Sequence, residues 1–257
     1  MSAARDAIAE FVSGLDLKQM DGVLLAAEVR LLASAAGIDL AQVDDAILIA
    51  AWAHREQRRL ARRDLPVTSY IEHPLRNAAR VLRWGISSTP VVLACILHDT
   101  VEDHAVALAS VLAPSRPVAT EGDARTVVLE QYRHTFGSRT AELVFAMSNP
   151  LEVDDSSDID AKHRAYRAHV VDAIADPELA LCKLADLTDN ALSLHHTGED
   201  AGDARTARLA RKYAPLLPIL QSRILEADVR ALMSDEGNRR AVAALDDGIA
   251  RLASLVA

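Results

Sequence analysis

The chain has 257 residues, 28 of them basic and 37 acidic, for a formal net charge of −9. Half of it is hydrophobic but only 4% aromatic, and Gly and Pro number only 10 and 9, which favours helices packed through Ala, Leu, Val and Ile over a strand-rich fold. No long basic block and no apolar run near the roughly 20 residues that cross a bilayer is present, so neither nucleic-acid binding nor a membrane span is expected.

In chain order, Ile8, Phe11, Val12 and Leu15 mark a first helix over 4–15, and Val23 to Leu32 a second over 20–35, stopped by Gly37. A longer helix is expected from about 40 to 63, ending in Arg58, Arg59, Arg62 and Arg63 and broken by Pro66. Residues 69–84 read as a turn into a helix closed by Gly85. Ser88-Thr89-Pro90 starts the next, which is apolar for seven residues and then abruptly polar. The segment 105–130 reads as irregular, with Ala-Pro-Ser-Arg-Pro at 113–117 and Glu-Gly-Asp at 121–123. Helices are expected to resume over 124–147, 160–175, from Pro177 through Leu194, 203–232 and 238–256. The last carries a stripe of Val242, Leu245, Ile249, Leu252 and Leu255, read as internal packing in preference to a homo-oligomer face. Cys95 and Cys182 lie in apolar runs and read as buried thiols. The 1–16 segment has no secretory apolar stretch, so a cytoplasmic location is expected.

The chemistry concentrates in three places. In His98-Asp99-Thr100-Val101-Glu102-Asp103, four ionisable groups project from one side of a helix whose preceding turns are apolar. Unpaired charges anchored there would cost several kcal/mol, roughly, so a cation is expected beside them. Imidazole next to carboxylate suits a borderline-to-hard divalent ion such as Mn²⁺, Fe²⁺ or Zn²⁺. The second place is Tyr70-Ile71-Glu72-His73-Pro74. The third is Cys182-Lys183-Leu184-Ala185-Asp186-Leu187-Thr188-Asp189-Asn190, where an Asp in an apolar setting needs a partner, and Lys183 and Asn190 share its face. His54 is expected at the surface of a charged helix, and His195 and His196 facing solvent. The P-loop pattern Gly-x-x-x-x-Gly-Lys-Ser/Thr is missing, which excludes that class of nucleotidase.

Taken together, YIEHPLRNAARVL, ILHDTVEDH and CKLADLTDN resemble, in order and spacing, the HD hydrolase domain of the RelA/SpoT family, and more closely its small stand-alone alarmone hydrolases. The resemblance covers about residues 50–220. It implies an all-α HD-domain bundle over 41–220, with an N-terminal helical extension over 1–40 and C-terminal helices over 221–257 packed against it. It implies a divalent metal, Mn²⁺ foremost, on His73, His98, Asp99 and Asp186, with Glu102 and Asp103 orienting and deprotonating the attacking water. Arg62 and Arg63, counted back from His-Pro, match the family's basic pair. Asn190, Ser193 and Lys183 complete the substrate-binding set. The expected activity is release of the 3′-pyrophosphate of guanosine 3′,5′-bis(diphosphate), with a small nucleotide as the partner. The alternatives are hydrolysis of another nucleotide and a non-catalytic nucleotide-binding sensor. Ser69 before the Tyr, the doubled basic pairs and His104 after Glu-Asp depart from the family pattern.

Overall fold

A computed structural model describes residues 3–59, 68–149, 158–191, 194 and 204–256. The described residues are overwhelmingly helical, and their only β-structure is one isolated bridge, between Arg58 and Ser69. The helices are α1 (Ala3–Gly14), α2 (Gly22–Ala35), α3 (Leu40–Ala53), α4 (Glu72–Arg83), α5 (Thr89–Leu112), α6 (Glu121–Phe136) and α7 (Ser138–Met147). There follow α8 (Ile159–Ala173), α9 (Pro177–Ala191), α10 (Ala204–Tyr213), α11 (Leu217–Ile224), α12 (Ala227–Arg230) and α13 (Asp235–Val256). No described helix is long and apolar enough to cross a membrane.

The organising element is α5. From Val91 to His98 every side chain is buried, because α3, α4, α6, α7 and α9 pack around it. A helix apolar on all sides is stable only when enclosed in this way. Ser88 takes the N-cap position with Pro90 in the first turn, but its hydroxyl donates to Glu178 Oε1 (2.5 Å) instead of capping the helix. Cys95 and Cys182 are buried and unbridged.

Two expected elements differ. The helix expected over 40–63 stops at Ala53 with His54 as its C-cap. Beyond it the chain turns into a pairing in which Arg59 N donates to Thr68 O (3.0 Å) and Tyr70 N to Gln57 O (3.1 Å). Arg58 and Arg59 thus leave the helix and pair with Ser69 and Thr68. Conversely, most of the irregular stretch expected over 105–130 is helical. Helix α5 passes His104 with a local departure from helical dihedrals (φ −135°, ψ 19°) and runs on to Leu112. Helix α6 already starts at Glu121, where Thr120 and Asp123 form a reciprocal capping box. The Pro-containing chemistry of 113–117 accounts only for the short connection between them.

The chain's first helices pack into the same buried core as α4 and α5, through Leu25, Val29 and Ala33. Arg83, in the last turn of α4, binds them with charge: Nε donates to Glu28 Oε1 (3.0 Å), and its two terminal nitrogens donate to the carbonyls of Leu15 (2.8 Å) and Val12 (3.1 Å). At the other end, Leu245 and Leu252 of the α13 stripe are buried, and Val242, Ile249 and Leu255 pack against the core. The turn after α4 receives the start of α13. Gly85 (φ +80°) lets the chain reverse, and Ser234 N and Oγ both donate to Trp84 O. Gly237 lies so close to the Trp84 carbonyl that a Cβ there would collide with backbone.

Gly237→Ala should therefore destabilise the fold by about 1–3 kcal/mol, the cost of overpacking against a rigid group, read by denaturant unfolding; an unchanged midpoint would mean α13 is not seated there. A second expectation concerns pH. Its hydrogen bonds from Arg223 hold Asp228 down to about 2 from 3.8. A depressed carboxylate contributes stability above its unfolded value and loses it as pH falls through the folded one. The deficit of Asp228→Asn relative to wild type should thus be present at neutral pH and shrink between about pH 4 and pH 2.

Candidate metal centre

Three helices bring the centre together. His73 comes from the first turn of α4, where Pro74 fits because first-turn N–H groups have no helical partner. His98 and Asp99 come from the point at which α5 leaves the apolar core, and Asp186 from α9. His73 Nε2 lies 3.1 Å from Asp186 Oδ1 and 3.5 Å from Asp99 Oδ2. His98 Nε2 lies 3.2 Å from Asp99 Oδ1 and 3.8 Å from Asp186 Oδ1. One ligand atom from each of His73, His98 and Asp99 falls within 4.8 Å of the others.

Both imidazoles are oriented from behind. His98 Nδ1 lies 3.0 Å from the Cys95 carbonyl, and His73 Nδ1 lies 2.7 Å from Asp189 Oδ2. A carbonyl and a carboxylate only accept, so the proton belongs on Nδ1 in each ring and the Nε2 lone pair faces the cluster. His98 Nε2 is buried and makes no hydrogen bond despite its nearness to Asp99. Two Nε2 atoms and the Asp99 carboxylate grouped together, with Asp186 Oδ1 beside both rings and one buried nitrogen orphaned, are a donor set that fits a borderline divalent cation. In the ion-free protein the His98 ring carries a second proton: burial alone would lower its pKa, but Asp99 beside it raises it to about 9, so a cation would take the place of that proton on Nε2. Burial likewise opposes ionisation of Asp99 and Asp186, yet His98 and His73 hold both carboxyls below their usual range. Tyr70 adds a hydrogen bond from its hydroxyl to Asp99 Oδ2 (2.9 Å).

Glu102 and Asp103 continue from the same helix. Burial raises the pKa of both. Glu102 is clamped by Asn149, whose backbone N–H and side-chain amide donate to its two oxygens (2.9 and 2.8 Å). Asp103 is exposed, and Gln57 Nε2 donates to its Oδ2 (2.9 Å).

The substrate-binding expectations are distributed differently. Asn190 Nδ2 donates to Asp186 Oδ1 (2.6 Å), while its Oδ1 accepts from Arg59 (2.5 Å), so the side chain braces the centre. Lys183 is buried behind it, with burial lowering its pKa and its ammonium donating to the Met147 carbonyl (2.8 Å). Arg62, Arg63 and Ser193 lie outside the described residues, as do His195 and His196. Of the two basic pairs, the earlier supplies Arg59, which donates to Asp189 Oδ2 (2.8 Å) and lies over the Tyr70 ring (5.5 Å). His54, expected at the surface, is fully buried between α3 and the Tyr70 turn, and burial lowers its pKa to about 4.

The residue the motifs left unassigned is Asp189. It is wholly buried, with Lys18 Nζ at 2.7 Å, Arg59 at 2.8 Å, Arg76 Nε at 2.9 Å and Arg80 at 3.3 Å, besides His73. Burial would keep its carboxyl protonated, but Lys18 and Arg76 hold it well below the usual carboxylate range. The signal was in view: an Asp three residues after Asp186 on a buried helix, with Arg76 and Arg80 at helical spacing after His73.

Comparison with known proteins follows these same elements. Over 67 residues the chain is 46% identical to guanosine-3′,5′-bis(diphosphate) 3′-pyrophosphohydrolase MESH1 of Xenopus tropicalis, a stretch covering 25% of this chain and 35% of that protein. It is 26% identical over 147 residues to the guanosine-3′,5′-bis(diphosphate) 3′-pyrophosphohydrolase of Aquifex aeolicus, covering 57% of this chain and 18% of the other. It is 26% identical over 185 residues to a GTP pyrophosphokinase of Myxococcus xanthus, covering 69% of this chain and 20% of the other. The chain resembles the HD hydrolases of the RelA/SpoT family. No family model matches it. The aligned stretches span about a third of the MESH1 relative and about a fifth of the two bacterial ones.

The His73–Asp189 contact generates a test within this RelA/SpoT-like centre. Asp189→Asn leaves a cluster of buried cations without their anion, so stability should fall by roughly 3–5 kcal/mol. Where the variant still folds, divalent-cation affinity should drop about 10–100-fold, because the tautomer of His73 is no longer fixed. Calorimetric titration with Mn²⁺ reads this directly, and unchanged affinity would show that Asp189 does not orient His73.

Proposed function

We propose that the chain is a metal-dependent phosphohydrolase that removes the 3′-pyrophosphate of guanosine 3′,5′-bis(diphosphate), yielding guanosine 5′-diphosphate and pyrophosphate. The observation that carries this reading is the convergence of His73, His98, Asp99 and Asp186, with both Nδ1 protons tied behind the rings. Names borne by the relatives support the substrate, since the Xenopus and Aquifex proteins are both called guanosine-3′,5′-bis(diphosphate) 3′-pyrophosphohydrolases.

His73, His98, Asp99 and Asp186 would hold the ion, with Mn²⁺ the first choice for an imidazole-carboxylate set. Once bound, it would supply Lewis-acid activation of a water and neutralise phosphate charge. The chain's own residues divide the remaining work. Asp103, open to solvent yet with its pKa raised by partial desolvation and by the Asp99 charge, accepts the proton of the attacking water. Glu102, with both oxygens held by Asn149, cannot swing and orients that water. Attack forms a new P–O bond as the bond from the 3′-oxygen to phosphorus breaks, and the proton taken up by Asp103 is returned to the departing 3′-oxygen, which leaves as a hydroxyl. Arg59, braced against Asn190, Asp189 and Tyr70, borders the site, and Arg62, Arg63 and Ser193 complete the contact with the nucleotide. Asn190 and Lys183 serve the substrate indirectly, Asn190 by bracing Asp186 and Lys183 by tying α9 to the Met147 carbonyl. The catalytic domain is assigned to 41–220, with 1–40 and 221–257 packed on it, and a nucleotide substrate fits a cytoplasmic location.

Chelator-treated protein resupplied with Mn²⁺ should release pyrophosphate from guanosine 3′,5′-bis(diphosphate). Glu102→Gln and Asp103→Asn should each lower kcat by about 10²–10⁴-fold while Mn²⁺ still binds. Turnover of a different nucleotide, with none of this one, would discard the substrate and keep the site. Full activity in both variants would discard the roles given to the two acids.

A further inference from the structure

Both carboxylate oxygens of Glu102 are held by a residue that lies beyond the end of a helix. Asn149 follows α7, whose C-cap Ser148 is already extended (φ −71°, ψ 139°). Its backbone N–H and its side-chain amide bind Glu102 at 2.9 and 2.8 Å, so the acid is fixed only as well as this short stretch of backbone. Carbonyls at and past a helix end have no helical donor and need another.

Arg125 of α6 supplies one. Its Nη1 donates to the Asn149 carbonyl (2.8 Å), and its Nη2 donates to the backbone carbonyl of Glu102 (3.3 Å). One guanidinium therefore spans the backbones of both partners in the clamp. Glu121, one turn back on the same helix, holds the guanidinium in turn, its Oε1 accepting from Nε (3.2 Å) and Nη2 (2.9 Å). Glu121 stands in the first turn of α6, where the capping box of Thr120 and Asp123 fixes the helix start.

We propose that Arg125 is a positioning residue for the hydrolysis, bridging the carbonyls of Glu102 and Asn149 and so holding the clamp on the Glu102 carboxylate.

This role rests on the one given to Glu102 above. A partly exposed Arg–Glu pair on one helix contributes little by itself. Arg125 differs because its remaining donors go to two carbonyls that belong to a single hydrogen-bonded pair. The planar fork is what allows this, and a lysine ammonium, a point charge on a flexible stem, does not reproduce it. Two residues before Asn149, the Met147 carbonyl accepts from Lys183 Nζ (2.8 Å). The 147–149 backbone is thus tied to α9, which carries Asp186, and to α6. The first turns of α6, which carry none of the three motifs, thereby acquire a part in the chemistry.

Two readouts separate this role from the hydrolase reading. The first needs no substrate. Hydrogen exchange of the Asn149 amide, followed by NMR, should quicken on the order of 10-fold in Arg125→Ala and in Arg125→Lys, with exchange in the buried turns of α5 unchanged. The second is a kinetic cycle on guanosine 3′,5′-bis(diphosphate) with Mn²⁺. Arg125→Lys should lower kcat by up to about 10²-fold with KM little changed. In a Glu102→Gln background it should cost nothing further, because the group it acts through has already lost its charge. Thr126→Ala, whose hydroxyl serves only the Gly122 carbonyl of its own helix, should match wild type in both readouts. Unchanged Asn149 exchange, unchanged kcat, or an equal further loss in the Glu102→Gln background overturns the role assigned to Arg125. A wild type that releases no pyrophosphate sinks the hydrolase reading instead, and Asn149 exchange still decides whether Arg125 holds the clamp.

Discussion

The buried carboxylate of Asp189 is the constraint on which the rest of this structure depends. A lone anion at a fully buried position would be costly, as would the cations of Arg76 and Arg80. Brought together they are tolerable, and the fold is arranged to assemble them. Helix α4 supplies both arginines, the turn after α3 supplies Arg59, and the segment between α1 and α2 sends in Lys18. Because the same carboxylate receives the Nδ1 proton of His73, charge compensation in the interior and the tautomer of a metal-type ligand are one interaction. This ties the N-terminal helices, which carry no motif, to the chemistry.

Helix α5 supplies the complementary device. Its wholly apolar turns are immobilised by five neighbouring helices, and the polarity change at His98 occurs where that enclosure ends. Rigidity in the apolar part thus becomes positional accuracy in the polar part. The same helix then sorts four of its ionisable side chains by partner. His98 and Asp99 turn to His73 and Asp186, Glu102 to Asn149, and Asp103 to Gln57. One helical face therefore presents a His–Asp pair of metal-ligand type and two carboxylates with raised pKa, all held by groups from different parts of the chain.

What the sequence disclosed follows from what is local. His73, His98, Asp99 and Asp186 were legible because each sits in a short motif with a conspicuous polarity change, and helix content followed from composition. Asp189 stayed hidden because its significance lies in four cations spread from Lys18 to Arg80, contacts that no window along the chain contains. Which of the two basic pairs faces the site stays open in the sequence because counting back from His-Pro assumes a fixed length; the structure pairs Arg59 with Thr68 and Gln57 with Tyr70, and Arg62 and Arg63 lie outside the described residues. His54 looked like a surface residue because its neighbours are charged, but it is the C-cap at which the helix ends, and Tyr70 folds over it. Residues 105–130 looked irregular because His104 and the prolines were read together, although only 113–120 leaves the helices.

Charge gives the last constraint. The protein carries −9 overall, and its centre sets Asp99, Asp186, Glu102 and Asp103 close together. Arg76 and Arg80 are turned towards Asp189, so their charge is spent on the interior. Arg59 is turned to the same carboxylate, so these three cations beside the centre are committed to Asp189. An ion held by His73, His98, Asp99 and Asp186 would offset this crowd of carboxylates, so under the proposed reading a metal would be a condition of admitting a polyanion before it took part in any chemistry.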